Sequence, residues 1–248
     1  MNGSNRRGSA PLAALMLICA LALSGCASTG AGPRSAADPF EPMNRAVFEF
    51  NETADAYVVK PVAQAYNFVV PDLIRGMIGN VFANVGELWV ATNQLLQGKP
   101  MAALGDLSRF VINMAFGFGG IADVASEMGL ERHREDFGQT LGRWGIASGP
   151  YLVLPIFGPS SVRDGFGFAL DTVVDPLRQV ETEGFSNNLR VARAVDQRAS
   201  LLTAGRVLDG AALDKYSFMR DGYLQRRRNL VWDGDPPPER EPAETESK

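Results

Sequence analysis

The chain has 248 residues with 24 basic and 28 acidic side chains, a formal net charge of −4, one histidine and two cysteines. This mildly acidic balance leaves no electrostatic footprint for nucleic acid. A lone histidine and so few cysteines cannot assemble an ordinary zinc site.

The chain begins MNGSNRRGSAPLAALMLICALALSGCAS. Arg6 and Arg7 form a basic n-region, and Leu12 to Leu23 form an apolar h-region too short for a stable span. Leu23-Ser24-Gly25-Cys26 fits a bacterial lipobox, so cleavage is expected before Cys26, whose thiol would carry a diacylglycerol. Residue 27 is Ala; an Asp there favours inner-membrane retention in enterobacterial lipoproteins, so sorting to the outer membrane is expected. Cys19 leaves with the signal, residues 1–25, and the mature chain keeps neither a disulfide nor a free thiol. Thiol catalysis is thereby excluded. Residues 26–37, small and Gly- and Pro-containing, read as a flexible tether. At the other end, residues 233–248 form a Pro- and Glu-rich acidic tail without the apolar surface needed to fold. The ordered domain is expected at 38–232.

That domain reads as mainly helical. Met43, Val47, Phe50, Ala54, Tyr57 and Val58 alternate at steps of three and four, one face of a helix that Pro61 ends or kinks. Val62, Ala65, Tyr66 and Val69 repeat the pattern up to Pro71. Gly76 to Gly98 holds one charge, Glu87, and low enough polarity to resemble a transmembrane segment. At 100° per residue, however, Asn80, Asn84, Glu87 and Gln94 fall within about 40° of one line. Ile78, Phe82, Val85, Trp89 and Leu96 fall opposite. An amide-lined face without Lys or Arg suits a narrow polar passage, although packing on a soluble core would give a similar split. Burying those groups without partners would cost ~2–7 kcal/mol each.

Two further segments are apolar, uncharged and broken. Phe110 to Ala122 is too short to span a bilayer, which takes ~20 residues, and Gly117, Gly119 and Gly120 interrupt it. These glycines are candidate hinges. Residues 144–162, WGIASGPYLVLPIFGPSSV, contain three glycines and three prolines that forbid a continuous helix. Within them 151–157 is the best strand candidate, demoted by Pro155 to an edge or extended segment. Both segments read as re-entrant or interfacial structure, or as Gly-rich loops buried in a soluble fold; at membrane depth an irregular backbone needs protein or a water-filled cavity to satisfy it. Later helices are expected at 160–174, 187–204 and 214–230.

The stretches DPFEPMNRAVFEFNETADAYVVKPVAQAYNFVVP, FGFGGIADVASEMGL and FGQTLGRWGIASGPYLVLPIFGPSSVRD resemble the MlaA (VacJ) family of outer-membrane lipoproteins. The likeness runs from Asp38 to Val174, weakens to about Lys215 and resumes around DKYSFMRDGYLQRRRNLVWDG. It implies an all-α protein: a ring-like bundle of amphipathic helices with Gly/Pro-rich re-entrant loops and an N-terminal lipid anchor. It also implies removal of phospholipid from the outer leaflet through an amphipathic channel, hand-over to a periplasmic lipid-binding carrier protein, and association with a trimeric porin. The triplet Arg226, Arg227 and Arg228 and the acidic tail are not covered by it.

Enzyme signatures are poor and no cofactor is implied. His133 sits in a charged turn, Gly158-Pro159-Ser160-Ser161-Val162 lacks the final glycine of a nucleophile elbow, and no lysine precedes Ser or Thr as a P-loop requires. The competing reading is a structural envelope lipoprotein. Arg75, Arg109 and Arg143 border apolar segments and are candidates for phosphate contacts, though codon usage in a GC-rich genome is the simpler source of the arginine bias.

Overall fold

Proline and glycine decide where the helices of this protein break. The computed structural model describes residues 37–179, 183–211 and 213–238. The signal 1–25, Cys26, nearly all of the tether and the last ten residues lie outside them. In chain order the elements are α1 (Glu41–Ala54), a π-helical turn (Asp55–Val59), α2 (Lys60–Val69), α3 (Asp72–Leu96), α4 (Pro100–Phe116), α5 (Val124–Glu127), α6 (Phe137–Arg143), β1 (Tyr151–Leu154), β2 (Gly158–Ser161), α7 (Val162–Val174), a 3-10 turn (Pro176–Gln179), α8 (Glu183–Ser200), α9 (Leu202–Ala211) and α10 (Lys215–Val231).

Pro61 does not stop the first helix but widens it. Lacking an N–H, it cannot bond the carbonyl four residues back, and the backbone passes through a π-turn into α2. The Arg198 guanidinium clasps Asp55 there, with both N···O distances 2.7 Å. Residues 187–204, expected as one helix, are instead parts of two, α8 and α9, which part at Leu201.

Pro155 has the opposite effect. It sits in the turn of an antiparallel hairpin in which Tyr151 pairs with Ser161 and Leu154 with Gly158. The strand candidate is therefore a true strand for four residues. Asn44 and Asn51, two helical turns apart on α1, extend the edge of β1: each side chain accepts from one backbone N–H (Val153, 2.9 Å; Ile156, 2.7 Å) and donates to one carbonyl (Tyr151, 3.0 Å; Leu154, 2.9 Å). Tyr151, Val153 and Tyr216 form a small apolar nucleus against Val47, Phe48, Tyr223 and Leu224. Tyr216 Oη donates to the buried Asp38 carboxylate at 2.5 Å, which joins the start of the domain to α10. Helices α6 and α7 approach closely enough that a Cβ on Gly167 would lie 2.4 Å from the Gly138 nitrogen.

Asp214 caps α10, accepting from the Ser217 N–H at 3.3 Å and from Arg45 Nη2 at 2.8 Å. The Arg45 guanidinium holds its carboxyl well below the usual carboxylate range. Asp214→Ala is expected to lower stability by about 1 kcal/mol. A depressed carboxyl stabilises above its unfolded pKa of ~3.9 and loses that contribution as pH falls below it. The difference between the two proteins in thermal melts should therefore be full at pH 6 and shrink below about pH 4.

Candidate functional site

The interior of this protein is polar and much of its surface is apolar. Among the described residues the buried hydrophobics larger than alanine are Tyr151, Val153, Leu177, Tyr216 and Val231. The largest fully buried side chains include Arg109, Gln94, Gln139, Glu87, Asn84, Asn93, Asn113 and Asp106. Outside lie Phe68, Leu73, Met101, Phe116, Phe118, Ile156 and Phe166, each at least 70% exposed. Soluble proteins rarely leave so many large apolar side chains exposed while burying so many polar ones. No described helix is long and apolar enough to cross a membrane.

Two helices carry most of this inversion. α3 and α4 form an antiparallel hairpin that turns at Gly98, where φ is +77°. On α4, Met101, Leu104, Leu107, Val111 and Met114 face outward, whereas Ala103, Asp106, Arg109 and Asn113 face inward. Both rows recur at steps of three and four, so each is one helix face. On α3, Asn84, Glu87, Ala91 and Gln94 are buried together with Asn93 and Gln97. The buried arc is thus wider than the line drawn from the sequence. Trp89, placed among the greasy residues by periodicity, turns inward and donates from Nε1 to Asp171 at 2.7 Å; the exposed apolar edge is Leu88, Leu95 and Leu96.

The hairpin encloses a polar seam with a charged centre. Arg109 meets Glu87 at 3.1 Å and Asp123 at 2.9 Å, and Arg132 closes a second bridge to the same two carboxylates at 3.3 and 3.1 Å. Burial pushes the Glu87 carboxyl up, against the pull of Arg109 and Arg132. Asn113 donates to Asp123 at 3.1 Å and accepts from the Ala125 N–H at 2.9 Å, fixing the start of α5. His133, expected on a solvated turn, is half-buried, and its Nδ1 lies 2.8 Å from Asp106. Toward the Gly98 turn, Thr140 donates to Asn93 at 2.7 Å and Gln97 donates to Glu135 at 2.8 Å. Several buried atoms along the seam have no protein partner: both amide atoms of Asn84, Glu87 Oε2, Gln94 Oε1, Gln97 Oε1 and Asp106 Oδ2. Native proteins leave few such groups; others lie outside the seam, among them Asn67 Oδ1, Gln139 Oε1 and Tyr151 Oη.

The four residues singled out on the polar face are divided among different tasks. Glu87 is held in the ion cluster. Asn84 and Gln94, each 1% exposed, carry the unpartnered amide atoms. Asn80, half-buried, donates to the Ile121 carbonyl at 3.0 Å. Of the glycines of the broken segment, Gly120 meets this face directly. Gly117 has φ −97° and accepts no Cβ, which would lie 2.2 Å from the Ala122 carbonyl oxygen. Gly119 and Gly120 have φ +75° and +89°, and a Cβ on Gly120 would lie 2.7 Å from Asn84 Nδ2. The loop after α4 therefore lies over Asn84 because glycine there has no side chain. Phe118 and Ile121 on the same loop point outward.

The sequence does not mark Asp106, Arg132 or Asp123 as site residues, and it offers Arg109 only as one candidate for phosphate contact. Arg109 is wholly buried by its carboxylate partners, so it does not offer its guanidinium to a surface ligand. Arg75 donates to the carbonyls of Asn67 and Val70 across the turn between α2 and α3 (2.9 and 2.6 Å), and Arg143 lies over the Trp232 ring at 5.3 Å.

Residues 36–230 match the family model described as MlaA lipoprotein. Among curated relatives, the intermembrane phospholipid transport system lipoprotein MlaA of Escherichia coli (strain K12) is 34% identical over 224 residues, 89% of this chain and 88% of that one. The protein of the same description from Haemophilus influenzae is 33% identical over 225 residues, 88% and 89% of the two chains. A solved structure described as the structural basis for maintenance of bacterial outer membrane lipid asymmetry aligns with TM-score 0.69 and 34% identity, covering 80% of this chain and all of the other.

Proposed function

The chain belongs to the MlaA lipoprotein family, and from that premise we propose that it moves phospholipid out of the outer leaflet of the outer membrane, passing headgroups along the α3–α4 seam and delivering the lipid to a periplasmic lipid-binding carrier protein. The observation that carries this reading is the inversion: polar groups inside, apolar side chains outside. Pulling a two-chain lipid into water exposes ~30 methylenes at ~0.8 kcal/mol each, a barrier on the order of 20 kcal/mol. A protein seated in the bilayer by its apolar exterior avoids most of that cost. The tails stay in apolar surroundings while the zwitterionic or anionic headgroup meets amides such as Asn84 and Gln94. The exposed Phe118 and Ile121 on the Gly117–Gly120 loop and Ile156 and Phe157 at the hairpin tip would enter the hydrocarbon part way, in keeping with segments too short to cross. Cys26 supplies the lipid anchor, and a trimeric porin is the expected outer-membrane neighbour.

The test is chemical labelling of outer-leaflet phospholipid in cells with and without the gene. Deletion should raise the labelled fraction, and re-expression should restore it. An unchanged outer leaflet would overturn transport in favour of a structural envelope lipoprotein. Release of fatty acid from phospholipid by the purified protein would replace it with a hydrolase. Cys26→Ser should leave the precursor unprocessed and fail to restore the deletion; normal outer-membrane fractionation and full complementation by this variant would show that the thiol is not the anchor.

A further inference from the structure

The seam is short of donors rather than of acceptors. Its buried atoms without a hydrogen-bond partner include five oxygens: Asn84 Oδ1, Glu87 Oε2, Gln94 Oε1, Gln97 Oε1 and Asp106 Oδ2. Two of them belong to carboxylates, which cannot turn a donor inward as a flipped amide can. Gln97 is fixed as well, because its Nε2 already donates to Glu135 at 2.8 Å and to Thr140 Oγ1 at 3.2 Å.

The carboxylates of the ion cluster differ in how far they are used. Asp123 accepts from Arg109, from Asn113 and from both the N–H and the hydroxyl of Ser126. Glu87 and Asp106 are each engaged through one oxygen, by Arg109 Nε at 3.1 Å and by His133 Nδ1 at 2.8 Å. Each keeps its other oxygen without a partner, although Glu87 is only 2% exposed and Asp106 not at all. They stand on the facing sides of α3 and α4, with Asp106 one helical turn before the Arg109 that meets Glu87. Burial first, and the charge of Asp106 after it, push the Glu87 carboxyl up. Three carboxylates face two guanidinium groups, so with His133 neutral the cluster keeps one negative charge unbalanced. A buried charge of this kind calls for a cation that has hydrogens to donate.

The cluster comes to the surface at Arg132 and His133, whose side chains are 29% and 31% exposed. Arg132 lies within ion-pair distance of Glu87 and Asp123, yet its Nε and Nη2 make no hydrogen bond within the protein. Unused guanidinium N–H groups at the edge, with unused carboxylate oxygens behind them, match a phosphate joined to an ammonium.

We propose that the seam selects a headgroup bearing a primary ammonium, the phosphoethanolamine of phosphatidylethanolamine, whose phosphate meets Arg132 and whose ammonium donates to Glu87 Oε2 and Asp106 Oδ2. This names the cargo of the transport reading and rests on it. A primary ammonium brings three N–H donors and a positive charge. The glycerol headgroup offers the same phosphate with neutral hydroxyls, and sets a negative lipid against a negative cluster. Choline keeps the positive charge but has no N–H to donate. One charge-assisted hydrogen bond changes affinity by about tenfold.

The experiment offers the purified full chain, in non-ionic detergent, equimolar phosphatidylethanolamine, phosphatidylglycerol and phosphatidylcholine with identical acyl chains. Bound lipid is read by native mass spectrometry. The ethanolamine lipid should exceed each of the others by about tenfold. Asp106→Asn, which keeps the size of the side chain, should bring the three toward parity, and Asp106→Glu should retain the preference. Arg132→Gln should weaken all three by a similar factor, because each carries the phosphate. Equal binding of the three lipids by the unaltered chain, or no binding, would overturn the selectivity without reliance on any variant. So would a preference unchanged in Asp106→Asn. Phosphatidylcholine bound as tightly as phosphatidylethanolamine would overturn the hydrogen bonds to the two oxygens. The transport reading fails on a different measurement, an outer leaflet unchanged by deletion of the gene. If deletion raises outer-leaflet phospholipid while the three lipids bind equally, transport stands and the ammonium site falls.

Discussion

Replacing Arg109 by methionine is expected to destabilise the protein by about 3–5 kcal/mol, the usual cost of removing one partner of a buried ion pair. The side chain is wholly buried, contacts Glu87 at 3.1 Å and Asp123 at 2.9 Å, and also donates to Ser126 Oγ at 3.2 Å and to the Leu130 carbonyl. Methionine keeps the length and the apolar stem but leaves both carboxylates sharing only Arg132, which is itself partly exposed. For a domain of this size the loss corresponds to a melting temperature lower by roughly 10 °C, measured by circular dichroism in detergent. Adding Glu87→Gln to Arg109→Met should recover part of the loss, because the second change removes the stranded charge. Full stability of the single variant, or no recovery in the double one, would show that the cluster is not what holds α3, α4 and α5 together.

The charged centre also explains what the sequence disclosed and what it hid. Helix spacing on α3 revealed Asn84, Glu87 and Gln94 because their polarity stood out against an otherwise apolar run. The same rule was available on α4, where Ala103, Asp106, Arg109 and Asn113 recur at steps of three and four. The uncharged run begins only at Phe110, in the middle of α4, so that run by itself shows half of the helix and hides the stripe. Pattern alone also could not say which face is the inside. Amphipathic periodicity is the same for a helix that buries its apolar stripe and for one that exposes it, and only packing of both helices against α5 and α6 shows that the polar stripe is buried. Arg132, Asp123 and His133 lie in loops or at helix ends, where no periodicity marks a direction. The hairpin was partly legible: Pro155 read as a strand breaker, and in the structure it is the turn that lets two four-residue strands pair. Asn44 and Asn51 as edge extensions of β1 join residues more than 100 positions apart, a relation that one sequence does not encode in its local pattern.

Asn84→Leu should separate stability from function. Asn84 is 1% exposed, neither atom of its amide has a hydrogen-bond partner in the protein, and the Gly120 backbone lies against it. Leucine has nearly the same shape and fits the same space, so the change removes two unsatisfied polar groups at little steric expense. A buried donor or acceptor left unpaired costs about 1–3 kcal/mol, and the variant is therefore expected to melt several degrees higher than the unaltered protein. If the amide serves the headgroup path, outer-leaflet phospholipid should nevertheless rise toward the level of the deletion strain, at normal protein abundance and normal processing of the signal. A residue kept at a cost in stability, whose removal costs only transport, is one that acts on the cargo. A lower melting temperature would mean that the amide is bonded within the fold. A wild-type outer leaflet in cells carrying Asn84→Leu would remove Asn84 from the path altogether.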